Sequence, residues 1–211
     1  METQLLDKSC KDFLTDLASK EPTPGGGGAA DLAGAIAAAL TSMVSNLTLG
    51  KEKFADVEDK IRPLLVSAEI LRTRMLALVA ADAAVFDGFM KAYKLPKNTD
   101  EEKEFRTNSI QIAAYDASEV PMKIADSCLD ILHLSSKLVR IGNPSAITDA
   151  TVAALLARAA LRSACYNVHS NLLLLKDKEY VQRTEEHLLE ICREAKELED
   201  DVIRETDRIL G

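Results

Sequence analysis

The run Pro-Thr-Pro-Gly-Gly-Gly-Gly at residues 22–28 constrains the fold of this chain strongly, because it leads directly into an alanine-rich segment at residues 29–40. Four consecutive glycines supply no side chains for a hydrophobic core, and the prolines end any helix that precedes them. Glycine also lets another group approach the backbone closely, and a helix N-terminus presents free N–H groups. The run therefore predicts either a flexible linker or a cradle for an anion or a flat ligand at the start of a helix.

Composition favours packed helices and one domain over residues 1–211. Hydrophobic residues make up 47% of the chain and aromatic residues only 4%, so alanine, leucine, isoleucine and valine must build the core. Such a mixture is typical of helices that pack closely. The net charge of -8 argues against a nucleic-acid or anionic-membrane partner, since both bind basic surfaces.

Apolar residues recur at helical spacing in six segments, and no segment alternates as a strand would. The pattern predicts helices at about residues 3–19, 29–50, 55–93, 100–140, 145 or 148 to 175, and from 178 onward. Thr99 and Glu102 form the sequence signature of a capping box at the start of the fourth helix. The sixth helix carries apolar residues at seven-residue intervals, which predicts packing against a long helix of the same chain or of a second copy. We therefore expect an all-α antiparallel bundle of about six helices, several of them long.

The cysteines and the termini predict a cytoplasmic protein. Cys10, Cys128, Cys165 and Cys192 are scattered and show no metal-ligand spacing, which is typical of free thiols in a reducing compartment. The N-terminus has no long apolar core of a signal peptide. Residues 29–49 are apolar but contain Asp31, so we expect a buried helix and no membrane span. The three histidines are isolated, and no metal site is expected.

Several carboxylates lie among apolar neighbours, where burial could shift a pKa and create an acid or a base. Asp82 and Asp149 are the strongest candidates, and Asp31, Asp87 and Asp126 share the pattern. Asp82 is flanked by alanines and has Phe86 one turn later on the same helix face. Asp149 follows a turn and could instead be an N-cap or first-turn carboxylate.

Two further groups could bind a substrate. Asn167 and Asn171 are four residues apart on one face of a mostly apolar helix, where they either line a polar pocket or bond to a neighbouring helix. Lys97 and Arg106 flank the loop after the third helix, together with Lys94, and could hold a substrate carboxylate or remain solvated surface charge.

The residues as a set resemble the cyclodeaminase/cyclohydrolase family. The most specific motif is Pro-Thr-Pro-Gly-Gly-Gly-Gly-Ala-Ala-Asp-Leu-Ala-Gly at residues 22–34. Weaker matches lie at residues 43–50, 82–86, 95–97, 143–149 and 167–172, and in the alanine-containing segment that ends at Pro121. This family includes the C-terminal half of the bifunctional formiminotransferase-cyclodeaminase and stand-alone bacterial methenyltetrahydrofolate cyclohydrolases. The chain departs from the family pattern at Gly28, where serine is frequent, and at Asp31, where a small residue is common.

The resemblance implies an all-helical dimer with a folate site near the subunit interface and no cofactor beyond the tetrahydrofolate substrate. It implies hydrolysis of 5,10-methenyltetrahydrofolate to 10-formyltetrahydrofolate, with formiminotetrahydrofolate cyclodeaminase as the alternative. We expect Asp149 or Asp82 to be the catalytic carboxylate. The expected substrate-binding residues are Pro24, Gly25, Gly26, Gly27, Lys97, Arg106, Asn167 and Asn171. The cyclohydrolase is preferred because no formiminotransferase half accompanies the chain.

A non-catalytic folate-binding or helical interaction protein is the other class to consider. The two classes differ in where the carboxylates lie. A catalytic site requires Asp82 or Asp149 to face the same cavity as residues 25–27, whereas a scaffold would carry them on separate outer surfaces.

Overall fold

The computed structural model describes residues 7–211, and this part of the chain contains α-helices and no strand, as predicted. The six helices span Cys10–Leu17 (α1), Gly26–Thr48 (α2), Glu58–Tyr93 (α3), Asp100–Ile141 (α4), Ile147–Leu172 (α5) and Lys178–Leu210 (α6). The predicted first helix is shorter than expected, because the Ser9 side chain caps it by accepting a hydrogen bond from the backbone N–H of Asp12. Residues 3–6 of that prediction lie outside the described residues.

Local signals explain the other helix boundaries. The Thr99 hydroxyl accepts a 3.2 Å hydrogen bond from the Glu102 N–H, and the Glu102 carboxylate accepts a 3.3 Å bond from the Thr99 N–H, so the capping box is confirmed. Short 3-10 turns precede α3 and α5 and move their starts to Glu58 and Ile147. Helix α2 begins at Gly26, which places three of the four glycines in its first turn.

Helices α2 to α5 form the body of the bundle, and each short connection reverses the chain. Helix α5 packs against both α2 and α4, and α3 packs against the same two helices. The contact surfaces are rich in small residues. At Gly34, an added Cβ would overlap the end of the Met75 side chain and lie 3.1 Å from the Cys128 sulfur, so a larger residue here would require the Met75 side chain to move.

The sixth helix packs within the chain against α4 and α5. Leu188, Ala195 and Val202 of the predicted seven-residue seam are buried, whereas Ile209 at its end is 39% exposed. The seam therefore covers the outer groove between α4 and α5.

Asn143 ties the turn between α4 and α5 to the C-terminal end of α2. Its backbone N–H donates to the Thr48 hydroxyl at 2.9 Å, and its side-chain Nδ2 donates to the Leu47 carbonyl at 3.0 Å. The Asn143 side chain also accepts a hydrogen bond from the Ser145 N–H. These bonds fix the end of α2 that lies farthest from the glycines.

Among the described residues, α2 alone is long and apolar enough to cross a membrane by length and composition. Within its most apolar window, 56% of the helix is buried inside the chain. A core helix has the same properties, and α2 makes its contacts with α3, α4 and α5.

Candidate active site

A cavity of about 400 Å³ lies at the end of the bundle where α2 begins. Four helices contribute to it. Helix α2 begins at this end, α3 and α5 run antiparallel to α2 and approach their C-termini here, and α4 contributes Ala117. The lining residues are Pro22, Thr23, Gly25, Gly26, Gly27, Asp82, Val85, Phe86, Phe89, Ala117, Asn167, Ser170, Asn171 and Leu174. The cavity thus combines a glycine turn, one carboxylate, two amides and an aromatic wall.

The glycine turn presents free backbone donors to this cavity. Gly25 is the extended N-cap residue, and the first helical hydrogen bond runs from the Ala29 N–H to the Gly25 carbonyl at 3.1 Å. The N–H groups of residues 26–28 therefore have no acceptor in the preceding turn, and the helix dipole adds partial positive charge. Because Gly26, Gly27 and Gly28 are helical, the run is not a flexible linker. It has the geometry of a cradle.

Asp82 lies directly against this turn. A Cβ added to Gly27 would overlap the Asp82 carboxylate and lie only 2.8 Å from its Cγ, so only glycine fits at position 27 while Asp82 keeps this position. Burial raises the pKa of Asp82 above its usual value. A half-buried carboxylate with a raised pKa beside free N–H donors is suited to accept a proton from a bound molecule.

The two asparagines lie on the opposite wall. Asn171 donates from Nδ2 to the Ala117 carbonyl of α4 at 2.7 Å, and this bond fixes the side chain. Its Oδ1 acceptor is the polar atom left for a ligand. Asn167 lines the cavity one turn earlier on α5. The structure therefore combines the two alternatives for this pair, because Asn171 bonds across to a helix and also borders the cavity.

Four other predicted site residues do not line the cavity. Pro24 is buried beneath it, between the lining residues Thr23 and Gly25. Lys97 is exposed in the loop after α3. Arg106 donates two hydrogen bonds to the Tyr93 carbonyl, at 3.1 and 2.9 Å, and its guanidinium lies over the Tyr93 ring. Arg106 therefore caps the C-terminus of α3.

Asp149 is the fourth of these residues, and it lies at the other end of α5. It belongs to the first turn of that helix, whereas Asn167 and Asn171 belong to its last turns. Eighteen residues separate Asp149 from Asn167, which at about 1.5 Å per residue is about 27 Å along the helix. Within one chain, Asp149 is therefore a first-turn carboxylate, which is the second of the two roles considered for it. The structure does not bring it to the cavity.

The aromatic wall was not predicted as part of the site. Val85, Phe86 and Phe89 follow Asp82 by three, four and seven residues, so they share its face of α3. This spacing could have revealed the wall from the sequence, because residues on the same helix face as Asp82 must border the same cavity. The wall supplies a flat apolar surface for a ring system.

The remaining candidate carboxylates have other surroundings. Asp126 accepts a 2.9 Å hydrogen bond from His187, and Asp87 is exposed. Asp31 is completely buried one turn below Gly27. Within residues 7–211, no group of three or more histidine, cysteine, aspartate or glutamate side chains is placed to hold a metal ion.

The cavity holds a carboxylate against a glycine turn and faces an aromatic wall. In an all-helical bundle, this arrangement is typical of an enzyme that binds a small molecule. Residues 9–190 match the family model described as formiminotransferase-cyclodeaminase. The chain therefore belongs to this family, and the resemblance seen in its motifs is confirmed.

Individual relatives show how the match is distributed. The chain is 43% identical to the methenyltetrahydrofolate cyclohydrolase of Methylorubrum extorquens, over 90% of this chain and 91% of that enzyme. It is 33% identical to the formimidoyltransferase-cyclodeaminase of Rattus norvegicus, over 92% of this chain but only 36% of that longer protein. The crystal structure of formiminotetrahydrofolate cyclodeaminase from Thermotoga maritima is similar with a TM-score of 0.88 and 29% identity, and the match covers 99% of this chain and 100% of that one.

Proposed function

We propose that this protein hydrolyses 5,10-methenyltetrahydrofolate to 10-formyltetrahydrofolate. The observation that carries the proposal is the position of Asp82 against the glycine turn, in a cavity that an aromatic wall borders. The similarity to the Methylorubrum cyclohydrolase over most of both chains supports the choice of reaction. The criterion that separates an enzyme from a scaffold, a carboxylate facing the same cavity as residues 25–27, is met by Asp82.

The chemistry follows from the charge of the substrate. The methenyl carbon bridges N5 and N10 in a cationic amidinium, and water adds to this carbon. Asp82 stabilises the cation and accepts the proton that the attacking water loses. The bond between the carbon and N5 then breaks, N5 takes up a proton, and the one-carbon unit remains on N10 as a formyl group.

The other lining residues position the substrate. The free N–H groups of the glycine turn suit the oxygen that the water contributes, because it carries partial negative charge as it loses its proton. Phe86 and Phe89 offer flat surfaces to the ring system, and Asn167 and Asn171 offer amide groups to its polar edge. Lys97 and Arg106 are not assigned to the ring, since they lie beyond the cavity.

Formiminotetrahydrofolate cyclodeaminase remains the second candidate, favoured by the similarity to the Thermotoga protein of that name and to part of the rat formimidoyltransferase-cyclodeaminase. In that reaction the ring closes and ammonia leaves, which requires an acid for the departing amine. The same carboxyl group can serve it, because a raised pKa keeps a larger fraction protonated.

The first test compares the two substrates. Purified protein is mixed separately with methenyltetrahydrofolate and formiminotetrahydrofolate, and each rate is measured against the spontaneous reaction in the same buffer. We expect the methenyl compound to disappear at least about 10²-fold faster with enzyme, the usual scale for general-base catalysis. If the formimino compound reacted with the greater acceleration, formiminotetrahydrofolate cyclodeaminase would become the preferred activity. No acceleration of either would leave a non-catalytic folate-binding protein.

We further propose that the protein is a homodimer that pairs through the outer face of α2 and α3. Val66 and Ile70 of α3 are 60% and 63% exposed, and Met43 and Leu47 of α2 are 39% and 38% exposed. Met43 and Leu47 also line a shallow groove of about 450 Å³. An exposed apolar face of this kind is typical of a subunit interface. Both helices also line the active-site cavity.

The oligomeric state tests this proposal. Light scattering after gel filtration is expected to give about twice the 23.0 kDa mass of one chain. Ile70→Glu combined with Met43→Glu should give the monomer mass, because charges would be buried in the interface. Leu189→Glu is the control, since Leu189 is an apolar residue that is 72% exposed, more than Ile70 or Met43, but lies on α6. A wild-type monomer, or dissociation by Leu189→Glu instead, would contradict the proposed face.

We infer that the protein acts in the cytoplasm and binds neither nucleic acid nor a membrane. The four cysteines are free thiols, which suits a reducing compartment, and the net charge of -8 opposes binding to polyanions. The proposed reaction requires only water and proton transfer, so we propose no cofactor beyond the folate substrate.

A further inference from the structure

Asp31 is a carboxyl group buried without a partner directly beneath the proposed site. Its side chain has 0% exposure, and neither Oδ1 nor Oδ2 has a hydrogen-bond partner among the described residues. Asp31 follows Gly27 by four residues on α2, so the two share one helix face. Because the Asp82 carboxylate rests on Gly27, Asp31 lies one helical turn behind it.

Among the described residues, no basic group contributes to the pKa shift of Asp31. The titratable groups that face it are Asp82 on α3 and Cys128 on α4, with Cys165 of α5 beyond Cys128. Burial, followed by the negative charge of Asp82, raises the pKa of Asp31 to about 8. The pKa of the Cys128 thiol is raised as well, first by burial and then by Asp31, so this thiol carries no charge that could compensate.

A partnerless carboxyl group in this place costs folding free energy. The positions of α2 that lie three and four residues from Asp31 are glycine and alanine, and an alanine at position 31 would fit the helix without a desolvation cost. Groups that destabilise the fold in this way concentrate at functional sites. Asp31 meets that description because it lies one helical turn from Gly27, the residue against which the Asp82 carboxylate rests.

We propose that Asp31 and Asp82 form a carboxyl pair that holds one proton at neutral pH, with Asp31 as a positioning residue whose loss of that proton at higher pH places a second negative charge behind Asp82. The role of this pair rests on the proposed function, since one negative charge matches the single positive charge of a methenyl folate. Asp31 acts through Asp82 and does not touch the substrate, because it does not line the cavity. When Asp31 loses its proton, a second negative charge appears behind Asp82 and strengthens the binding of a cation.

The pair can be tested without any substrate. Full-length protein is labelled with ¹³C at the aspartate carboxyl groups, and the signals of Asp31 and Asp82 are assigned by their loss in Asp31→Asn and Asp82→Asn. We expect Asp31 to titrate near pH 8 in the wild type. In Asp82→Asn its midpoint should fall by roughly one pH unit or more, because the like charge is gone. An Asp31 midpoint at the ordinary value, or one that Asp82→Asn does not move, would overturn the pair.

Thermal unfolding gives a second readout and covers the case in which Asp31→Asn folds poorly. The folded-state pKa of Asp31 is raised, so its contribution to stability is fully present below the unfolded-state value of 3.8 and is lost as the pH rises toward about 8. Asp31→Ala has no carboxyl group at this position, so its stability does not decrease with pH for this reason. The difference in Tm between Asp31→Ala and the wild type should therefore grow between pH 5 and pH 8 and then level off. A difference independent of pH would contradict a buried proton on Asp31.

Kinetics test the role of the pair. In the wild type, KM for methenyltetrahydrofolate should fall roughly 3- to 10-fold as the pH rises through the Asp31 titration, whereas KM of Asp31→Ala should stay level. If KM depended on pH in the same way in the wild type and in Asp31→Ala, while Asp31 still titrated as expected, then Asp31 would have no role in substrate binding. Absence of all folate activity would instead refute the proposed function, while the ¹³C titration would still decide whether the pair exists.

Discussion

Asp82→Asn is expected to lower kcat/KM for methenyltetrahydrofolate by a factor on the order of 10² to 10³, the usual scale for a lost general base. Asparagine has nearly the same shape as aspartate, so the cavity and the contact with Gly27 should persist. The amide can neither accept the proton of the attacking water nor balance the charge of the cation. The measurement is the initial rate over a range of substrate concentrations, with the spontaneous rate subtracted.

Two matched variants make this result specific. Asp87→Asn changes an exposed carboxylate on the same helix, and Asp149→Asn changes the other carboxylate predicted from the sequence. Both should retain rates within about twofold of the wild type, because neither residue borders the cavity. If Asp149→Asn lost activity and Asp82→Asn did not, the assignment of the base would be wrong, and the site would have to include a second chain.

Gly27→Ala is expected to reduce activity by at least about tenfold while the protein remains folded. The added methyl group would occupy the space of the Asp82 carboxylate, so Asp82 must rotate away from the glycine turn. Alanine itself is favourable in a helix, and the global fold should not suffer. Circular dichroism and Tm report the fold, and the substrate assay reports the displacement.

Gly88→Ala is the control for this substitution. Gly88 is an exposed glycine of α3, and an added Cβ would meet no atom within 4 Å. It should leave the rate unchanged and raise Tm slightly, because alanine is the better helix residue. Wild-type activity in Gly27→Ala would show that the close contact with Asp82 has no part in catalysis.

Much of the fold could be predicted because its signals are local. The capping box at Thr99 and the seven-residue seam of α6 depend on neighbouring residues, and both appear where the sequence places them. Helix α2 begins three residues before the start predicted from the sequence, because glycine has a poor helix propensity while tertiary packing stabilises the first turn here. The homodimer depends on a second chain and stays a prediction.

The site was harder to predict because its residues come from four elements. Asp82 and Asp149 are hard to distinguish in sequence, since each is an aspartate next to at least one alanine in a largely apolar helix, and only the direction of the helices separates them. In a chain that reverses at each connection, the start of α2, the end of α3 and the end of α5 share one end of the bundle. That rule alone groups Asp82, Asn167 and Asn171 with the glycines and places Asp149 at the far end.

The same rule does not exclude Lys97 and Arg106, which lie at the correct end. They fall outside the cavity because α3 continues for eleven residues beyond Asp82 before it ends at Tyr93, which is about 16 Å of helix. The hairpin of α3 and α4 therefore projects past the start of α2. The length of an overhang of this kind follows from packing and cannot be read from local patterns.

The hydrogen bonds of Asn143 have a consequence for how α2 responds to a bound molecule. They anchor the C-terminal end of this helix to the turn between α4 and α5, while its other end consists of glycines without side chains to interlock. Within the described part of the chain, side-chain hydrogen bonds therefore anchor the C-terminal end of α2 but not its N-terminal end. Small adjustments on ligand entry will concentrate in the glycine turn, where the backbone meets little steric resistance, and the core around Gly34 and Met75 will keep its packing.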